Sequence, residues 1–498
     1  MTIKAGLFEP YGLTNLDHTI PPCYVRFTAV FPVSNIPLGV ESLQRGADLL
    51  TSEFPFLTGC VIPNRNPGAR KGALQIEPDD HYAGILQVKQ HASSYDTGST
   101  IAEERYLPLP FFADSNTPAP IIRLQVNAMT DGIILGIAFN HQVVDGTAMG
   151  VLIRDFARCC ILAGGSSVPS TSGLETNLER QVEGRAILSA SGLEKTPLLS
   201  HPKIDHSAEY PVVAPLPADR KALTQAMQLS ARSLTMQRFL IPTNKLQSLV
   251  NVCNDWLAKS SEFSEERPWV SKNDVVVSLF WMCFKRAQEY GPSGKATTVT
   301  SQHTDAPSMT RISMAVNVRG RTIPPTPPAY IGNAVVPLLE SVSMDLILGN
   351  HSPLATSSGE EHTCKDKKII HSLSHMAYAI RKKLHHIDDA FVRSVISHLE
   401  GVSDLSTICI GQSDFNISSW RDMGICTADY GPYLGHPVDV VIAKGMIDGQ
   451  FYILPRKGHD GDGEDFWEIE ATLRTETLER LCADEILSSY ARRIPQQP

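Results

Sequence analysis

The residues of this chain best suited to chemistry lie in FNHQVVDGTAMG, residues 139–150, directly after the uncharged run IILGIA. An imidazole, with its ordinary pKa of about 6.5, takes up a proton near neutral pH and returns it within one turnover. His141 is therefore the candidate general base. Four residues on, Asp145 is placed to orient the turn or to pair with a cation, and Gly146 permits a conformation or close approach that a side chain would block. Thr147, Ala148 and Gly150 are small enough to keep the start of a following helix open. The same residues also admit a plainer reading, in which His141 is a satisfied core histidine and Asp145 an N-cap.

Other chemistries lose their usual supports. The sequence has no GxSxG elbow, no GxGxxG after a strand and no GxxxxGK[ST] loop, so covalent serine hydrolysis, dinucleotide binding and P-loop phosphate chemistry are disfavoured. A lone base suits direct transfer, in which an acceptor hydroxyl or amine loses its proton as it attacks an activated acyl group. Cys159 and Cys160 end a predicted helix with no activating His or Lys beside them and read as buried small hydrophobes. No CxxC pair suits zinc, and HDGDGED lacks the alternating ligands of a calcium loop, so no metal is expected. His436 reads as a loop or strand-start histidine. The basic runs RKKLHH and CKDKK are either receivers of phosphate or, more commonly, solvated helix faces.

Secondary-structure patterns place His141 at an edge where clefts form. IIRLQVNA alternates Ile122, Leu124, Val126 and Ala128, turns at Thr130-Asp131-Gly132 and returns as IILGIAFN, a β-hairpin signal. GTAMGVLIRDFARCCILAGG then reads as a helix with Val151, Leu152 and Phe156 facing in, stopped by Gly164 and Gly165. Upstream, Val40, Leu43, Ala47 and Leu50 recur at helical spacing. Downstream, SKNDVVVSLFWMCFKRAQEYG predicts a buried helix with a capping box from Ser271 to Asp274. ISMAVNVRGR predicts a strand, and HSLSHMAYAIRKKLHHIDDAFVRSVISHLEG a helix in one or two pieces. The stretches EYGPSGKATTVTSQHTDAPSM and HSPLATSSGEEHTCKDK read as exposed insertions. The mixture is α/β with mixed sheets.

With 498 residues and 42% hydrophobic content, the chain has room for two or three domains. We place an N-terminal domain at residues 1–200, a Ser/Pro/Gly-rich crossover at 201–235 and a C-terminal domain at 236–498, with a segment after Asp429 joining the first sheet. A formal net charge of −9 argues against a nucleic-acid surface. Ten cysteines are too sparse for a disulfide scaffold. The N-terminus lacks the apolar core of a signal peptide and no stretch is apolar enough to span a membrane, so a soluble, cytoplasmic protein is expected; it is read as a monomer.

Near the other end lies ISSWRDMGICTADYGPYLG, residues 417–435. Together with HQVVDG it resembles the BAHD-type acyl-CoA-dependent acyltransferases, which carry HxxxDG at mid-chain and DFGWG towards the end. NDVVVSLFWMCFKRA, NVRGR, YIGN, SSW and IDGQFYILP resemble further family segments, in the same order. The resemblance implies two chloramphenicol-acetyltransferase-like domains, each a mixed β-sheet with flanking helices, and a channel between them that admits acyl-CoA at one mouth and a small-molecule acceptor at the other. It implies no bound cofactor, with acyl-CoA as co-substrate. His141 would be the base and Asp145 structural. Asp429 of the DYG box, closed by Gly431, would pair with Arg319. Ser418 and Trp420 would line the channel, either one a candidate oxyanion donor.

This sequence departs from the family pattern at two boxes. Asn140 precedes the histidine, and the DFGWG box is here Asp429-Tyr430-Gly431-Pro432-Tyr433, with its tryptophan absent. Such looser boxes resemble the fungal secondary-metabolism branch, including the trichothecene O-acetyltransferase type. The expected activity is transfer of an acyl group to a hydroxyl, less readily an amine, through a ternary complex. The alternatives are a condensation-type enzyme fed by a carrier-protein thioester and a non-catalytic metabolite-binding relative.

Overall fold

The computed structural model describes residues 8–95, 102–114, 117–164, 174–189, 204–262, 268–289, 308–349, 361–457 and 465–495. HDGDGED and the greater part of both expected insertions lie outside them, apart from their edges. The hairpin forms as its alternation and turn residues require. Ile122–Ala128 and Ile133–Asn140 pair antiparallel from Ile122 opposite Phe139 to Ala128 opposite Ile133, and the Met129 amide donates to the Gly132 carbonyl across the turn. All of Ile133–Asn140 is buried, because Tyr24–Phe31 lies along its other edge and the helices Ile36–Glu53 and Gly146–Ala163 share its core.

The first sheet runs in the order Asp439–Ile442, Tyr24–Phe31, Ile133–Asn140, Ile122–Ala128, Leu86–Gln90. Only its last pair is parallel. A seven-stranded sheet orders Val335–Ser343, Met309–Asn317, Phe415–Ser419, Gln450–Ile453, Phe466–Arg474, Leu234–Pro242 and Arg492–Arg493. Phe415–Ser419 is parallel to both its neighbours. A small antiparallel sheet of four short strands adjoins them. Both large sheets are mixed and flanked by helices, the α/β class expected from the sequence.

Lys272–Glu289 is the central helix of the second core, with twelve buried residues including Trp281, Phe280 and Phe284. Its capping box is present: the Asp274 carboxylate accepts from the Ser271 amide (2.7 Å) and hydroxyl (2.8 Å), and the Asp274 amide donates to the Ser271 hydroxyl (3.4 Å). The helical run 361–400 divides into Glu361–His386 and Asp389–Glu400, the second opened by Asp388 accepting from the Phe391 amide. Within the stretch read as a crossover, Arg220–Ser230 is a helix with Asp219 as its N-cap.

The chain leaves the seven-stranded sheet after Ser419, crosses to place Asp439–Ile442 against Tyr24–Phe31, and re-enters at Gln450 beside the strand it left. This excursion ties the halves together. Arg238 reaches from the second sheet to the Asp439 carboxylate (3.1 Å) and the Val440 carbonyl (3.1 Å), while also meeting Glu468 and Glu470. Burial pushes the Glu470 carboxyl up to about 7 against the opposing pull of Arg238.

The excursion also packs against the helix that follows His141. A Cβ on Gly150 would stand 2.6 Å from the Met423 carbonyl oxygen. G150A therefore destabilises the protein by about 1–3 kcal/mol, to be measured as a lower midpoint in denaturant unfolding with an unchanged slope.

Candidate active site

The backbone of the sheet carries His141 to its position. Strand pairing between Tyr24 and Asn140 continues one residue further, where the His141 amide donates to the Cys23 carbonyl (2.9 Å). Asn140 then stops the strand. Its carbonyl accepts from the amides of Val143 and Val144 (both 3.0 Å), and its side-chain oxygen accepts from the Gln142 amide (3.0 Å). A residue with a short amide side chain at this position thus shapes the turn that presents the histidine.

Asp145 combines two of the roles considered from sequence. It is the N-cap of Gly146–Ala163, accepting from the Ala148 amide (2.8 Å). It also forms a buried two-pronged pair with Arg319, at 2.8 and 3.0 Å, and accepts from the Ala334 amide at 2.9 Å. Arg319 in turn donates to the Asn317 side chain and to the carbonyls of Tyr330 and Gly332. Gly146 is a close approach: a Cβ there would meet the Met423 methyl at 2.4 Å.

The expected pairing of Asp429 with Arg319 is corrected by these contacts. Asp429 is exposed, and its carboxylate accepts from the Gly431 amide two residues away (2.9 Å). Both terminal nitrogens of Arg319 are already engaged by Asp145, the Asn317 side chain and two carbonyls. What anchors the DYG box is its aromatic residue: Tyr430 is buried, with ring centroids 5.0 Å from Phe31 and 5.8 Å from Phe156. Gly431 turns the chain at φ +90°, a conformation that favours glycine.

Asn333 and Asp17 form a second support that the sequence reading did not identify. The Asn333 side chain donates to both the His141 carbonyl (2.9 Å) and the Asp17 carboxylate (3.1 Å), and the Asn333 amide also donates to Asp17 (2.8 Å). Asn333 closes the YIGN segment quoted above, so the residue was visible but not its contact.

His141 lines a cavity of about 1220 Å³ whose walls come from both halves of the chain. The ring sits deep in the protein yet is partly open to this space. Burial lowers its pKa below the ordinary value; the carbonyls of His141 itself and Val144 and the charge of Asp145 oppose the shift without cancelling it. At neutral pH the imidazole is therefore a free base. Ser418 and Trp420 line the same cavity. Trp420 is buried edge-on to Phe27 and Tyr452.

Strand alternation produces a polar wall in the cavity. Ser313, Asn416 and Gln450 are cross-strand neighbours, as are Ser418 and Tyr452, and all five line the cavity. The intervening Phe451 enters the core behind, and Ile417 packs in that core while also bordering the cavity. The polar-apolar alternation in FNISS and QFYI was the available signal for this wall.

The remaining candidates do not join it. Burial pushes the Cys159 thiol up to about 12 and Cys160 well above its usual range, so neither is a thiolate. His436 bonds the Ala428 carbonyl (3.1 Å) away from the cavity lining. Arg381 of RKKLHH binds Asp274 and covers the Trp269 ring. The cationic side chains lining the cavity are Arg26, Arg70, Lys71, Arg220 and Lys444.

Comparison with known proteins bears on the family and the fold. The Transferase family model matches residues 101–485. An O-acetyltransferase of Penicillium ochrochloron is 43% identical over 98% of both chains. An O-acetyltransferase of Aspergillus oryzae is 32% identical over 90% of this chain and 95% of its own. Among solved structures, F. sporotrichioides TRI101 complexed with coenzyme A and T-2 superposes with a TM-score of 0.69 at 20% identity, covering 98% of this chain and 100% of that one. Vinorine synthase gives 0.59 at 14% identity, over 98% and 96%.

A double-mutant cycle separates the two aspartates. D145N and R319M each lower stability by about 3–5 kcal/mol by leaving a buried charge unpaired, and the double variant loses markedly less than their sum. D429A costs no more than about 1 kcal/mol and shows no coupling to R319M. Urea unfolding of wild type, the three single variants and the doubles D145N/R319M and D429A/R319M measures this.

Proposed function

Because this chain belongs to the Transferase family, we propose that His141 is the general base of a direct acyl transfer inside the cavity. The chain is an acyl-CoA-dependent O-acyltransferase acting on small-molecule secondary metabolites. The acyl donor is acetyl-CoA, the reading favoured by relatives named as O-acetyltransferases. The observation that carries the proposal is the placement of the His141 imidazole on the wall of a cavity built by both halves.

In the reaction the acceptor hydroxyl gives its proton to His141 as its oxygen attacks the thioester carbonyl. The tetrahedral oxyanion collapses with loss of the CoA thiolate, which takes up the proton that the imidazolium returns. No bond to the protein forms. The Ser418 hydroxyl and the Trp420 ring N–H are the proposed donors to the oxyanion, and the polar wall is the proposed seat of the acceptor. Arg220, whose Nη1 is buried without a hydrogen-bond partner, is the proposed contact for a CoA phosphate.

Asp145, Arg319, Asn333 and Asp17 act through the backbone that holds the histidine, with Gly146 and Gly431 supporting the packed turns. We assign residues 1–200 and 236–498 to two acyltransferase domains joined by 201–235, with the segment after Asp429 lending the strand Asp439–Ile442 to the first sheet. A monomer is the proposed working unit. The nine described cysteines are all unpaired, which supports a reducing, cytoplasmic setting. Among the described residues no helix is long and apolar enough to cross a membrane.

H141A lowers kcat by about 10²–10⁴-fold while calorimetric CoA binding persists. The assay follows thiol release from a panel of acyl-CoAs over alcohol acceptors, and unchanged turnover would refute the base. Since burial lowers the His141 pKa, kcat/KM is flat through neutral pH and falls only as the ring is protonated. The acid limb then has its midpoint below about 6.5, the ordinary imidazole value.

A further inference from the structure

Away from the cavity, two histidines and a carboxylate converge. His371 and His375 stand one turn apart on the helix Glu361–His386, a spacing that projects both rings from one face. Glu262, just past the end of the helix Thr243–Lys259, reaches the same point. Its Oε2 lies 2.7 Å from His375 Nε2 and 3.8 Å from His371 Nε2. The three donor atoms lie within 4.8 Å of one another, and among the described residues this is the one such group.

From these atoms we infer a divalent metal site of the zinc class, bound by His371 and His375 through imidazole nitrogen and by Glu262 through carboxylate oxygen. A tetrahedral ion with bonds of about 2.0–2.1 Å spaces its ligand atoms about 3.3 Å apart. The two nitrogen-oxygen separations bracket that value, so an ion enters with small side-chain rotations. Two imidazoles and one carboxylate are a donor set that selects zinc and its neighbours over magnesium or calcium. The rings already face each other at 4.4 Å between centroids, and Trp256 packs edge-on to His371 at 5.0 Å. Such packing limits the rotamers that must be ordered on binding.

The position gives the site a structural meaning. The ion would fasten the connection after Thr243–Lys259 to a helix more than a hundred residues further along the chain. None of the three ligands lines the cavity, so the ion takes no part in acyl transfer. The inference stands apart from the acyltransferase reading, and its test does not depend on that activity.

Tag-free, chelator-treated protein is titrated with zinc chloride by calorimetry. One saturable equivalent is expected, and H371N/H375N weakens it by at least about tenfold, with E262Q also weakened. Diffraction at the zinc edge from zinc-soaked wild-type crystals is expected to place an anomalous peak between the three side chains. Circular dichroism and metal-free acyl transfer of the variants check that they fold. Absence of one-equivalent binding, unchanged affinity in the folded double variant, or a peak confined to another location would overturn the site. The wild-type diffraction experiment decides the matter even if the double variant fails to fold.

Discussion

Arg319 and Asp145 lie 174 residues apart and meet with both side chains almost fully withdrawn from water. Removing two charges from water is costly, and their attraction compensates only when the remaining donors and acceptors are satisfied. Here the carboxylate takes up two backbone amides besides the guanidinium, and the guanidinium serves two carbonyls and an amide oxygen. Such a pair adds little net stability over a well-packed apolar contact. It does fix geometry, because displacing either partner strands a buried charge. The turn carrying His141 thereby takes its position from the second half of the chain.

The crossing segment 420–449 works towards the same end by packing. It leaves the seven-stranded sheet, lends a strand to the first sheet and returns. On the way Trp420 wedges against Phe27, Met423 fills the space above two glycines, and Tyr430 meets Phe31 and Phe156. Arg238 holds the far end at Asp439. The cavity is the space these ties leave open, and its polar wall follows from the two-residue period of strands whose other face is core. Burial lowers the pKa of a base in such a place and so favours its neutral form.

Local patterns in the amino-acid sequence determined the hairpin ending in Asn140, the helix after Asp145, the capping box at Ser271 and the choice of His141, since each depends on neighbours a few residues away. The DYG box shows where that reasoning stops. Its aspartate had the charge expected of a clamp, yet it bonds its own turn, while the tyrosine carries the contact. Asn333 and Asp17 were legible as residue types and silent as to partner. Likewise HSLSH showed two histidines at helical spacing, but the third ligand comes from another element. Only the tertiary structure decided which aspartate meets Arg319 and which residues form the cavity wall. Periodicity encodes which face of an element is buried, whereas the pairing of distant charges and surfaces is set by how whole sheets and helices come to lie against one another.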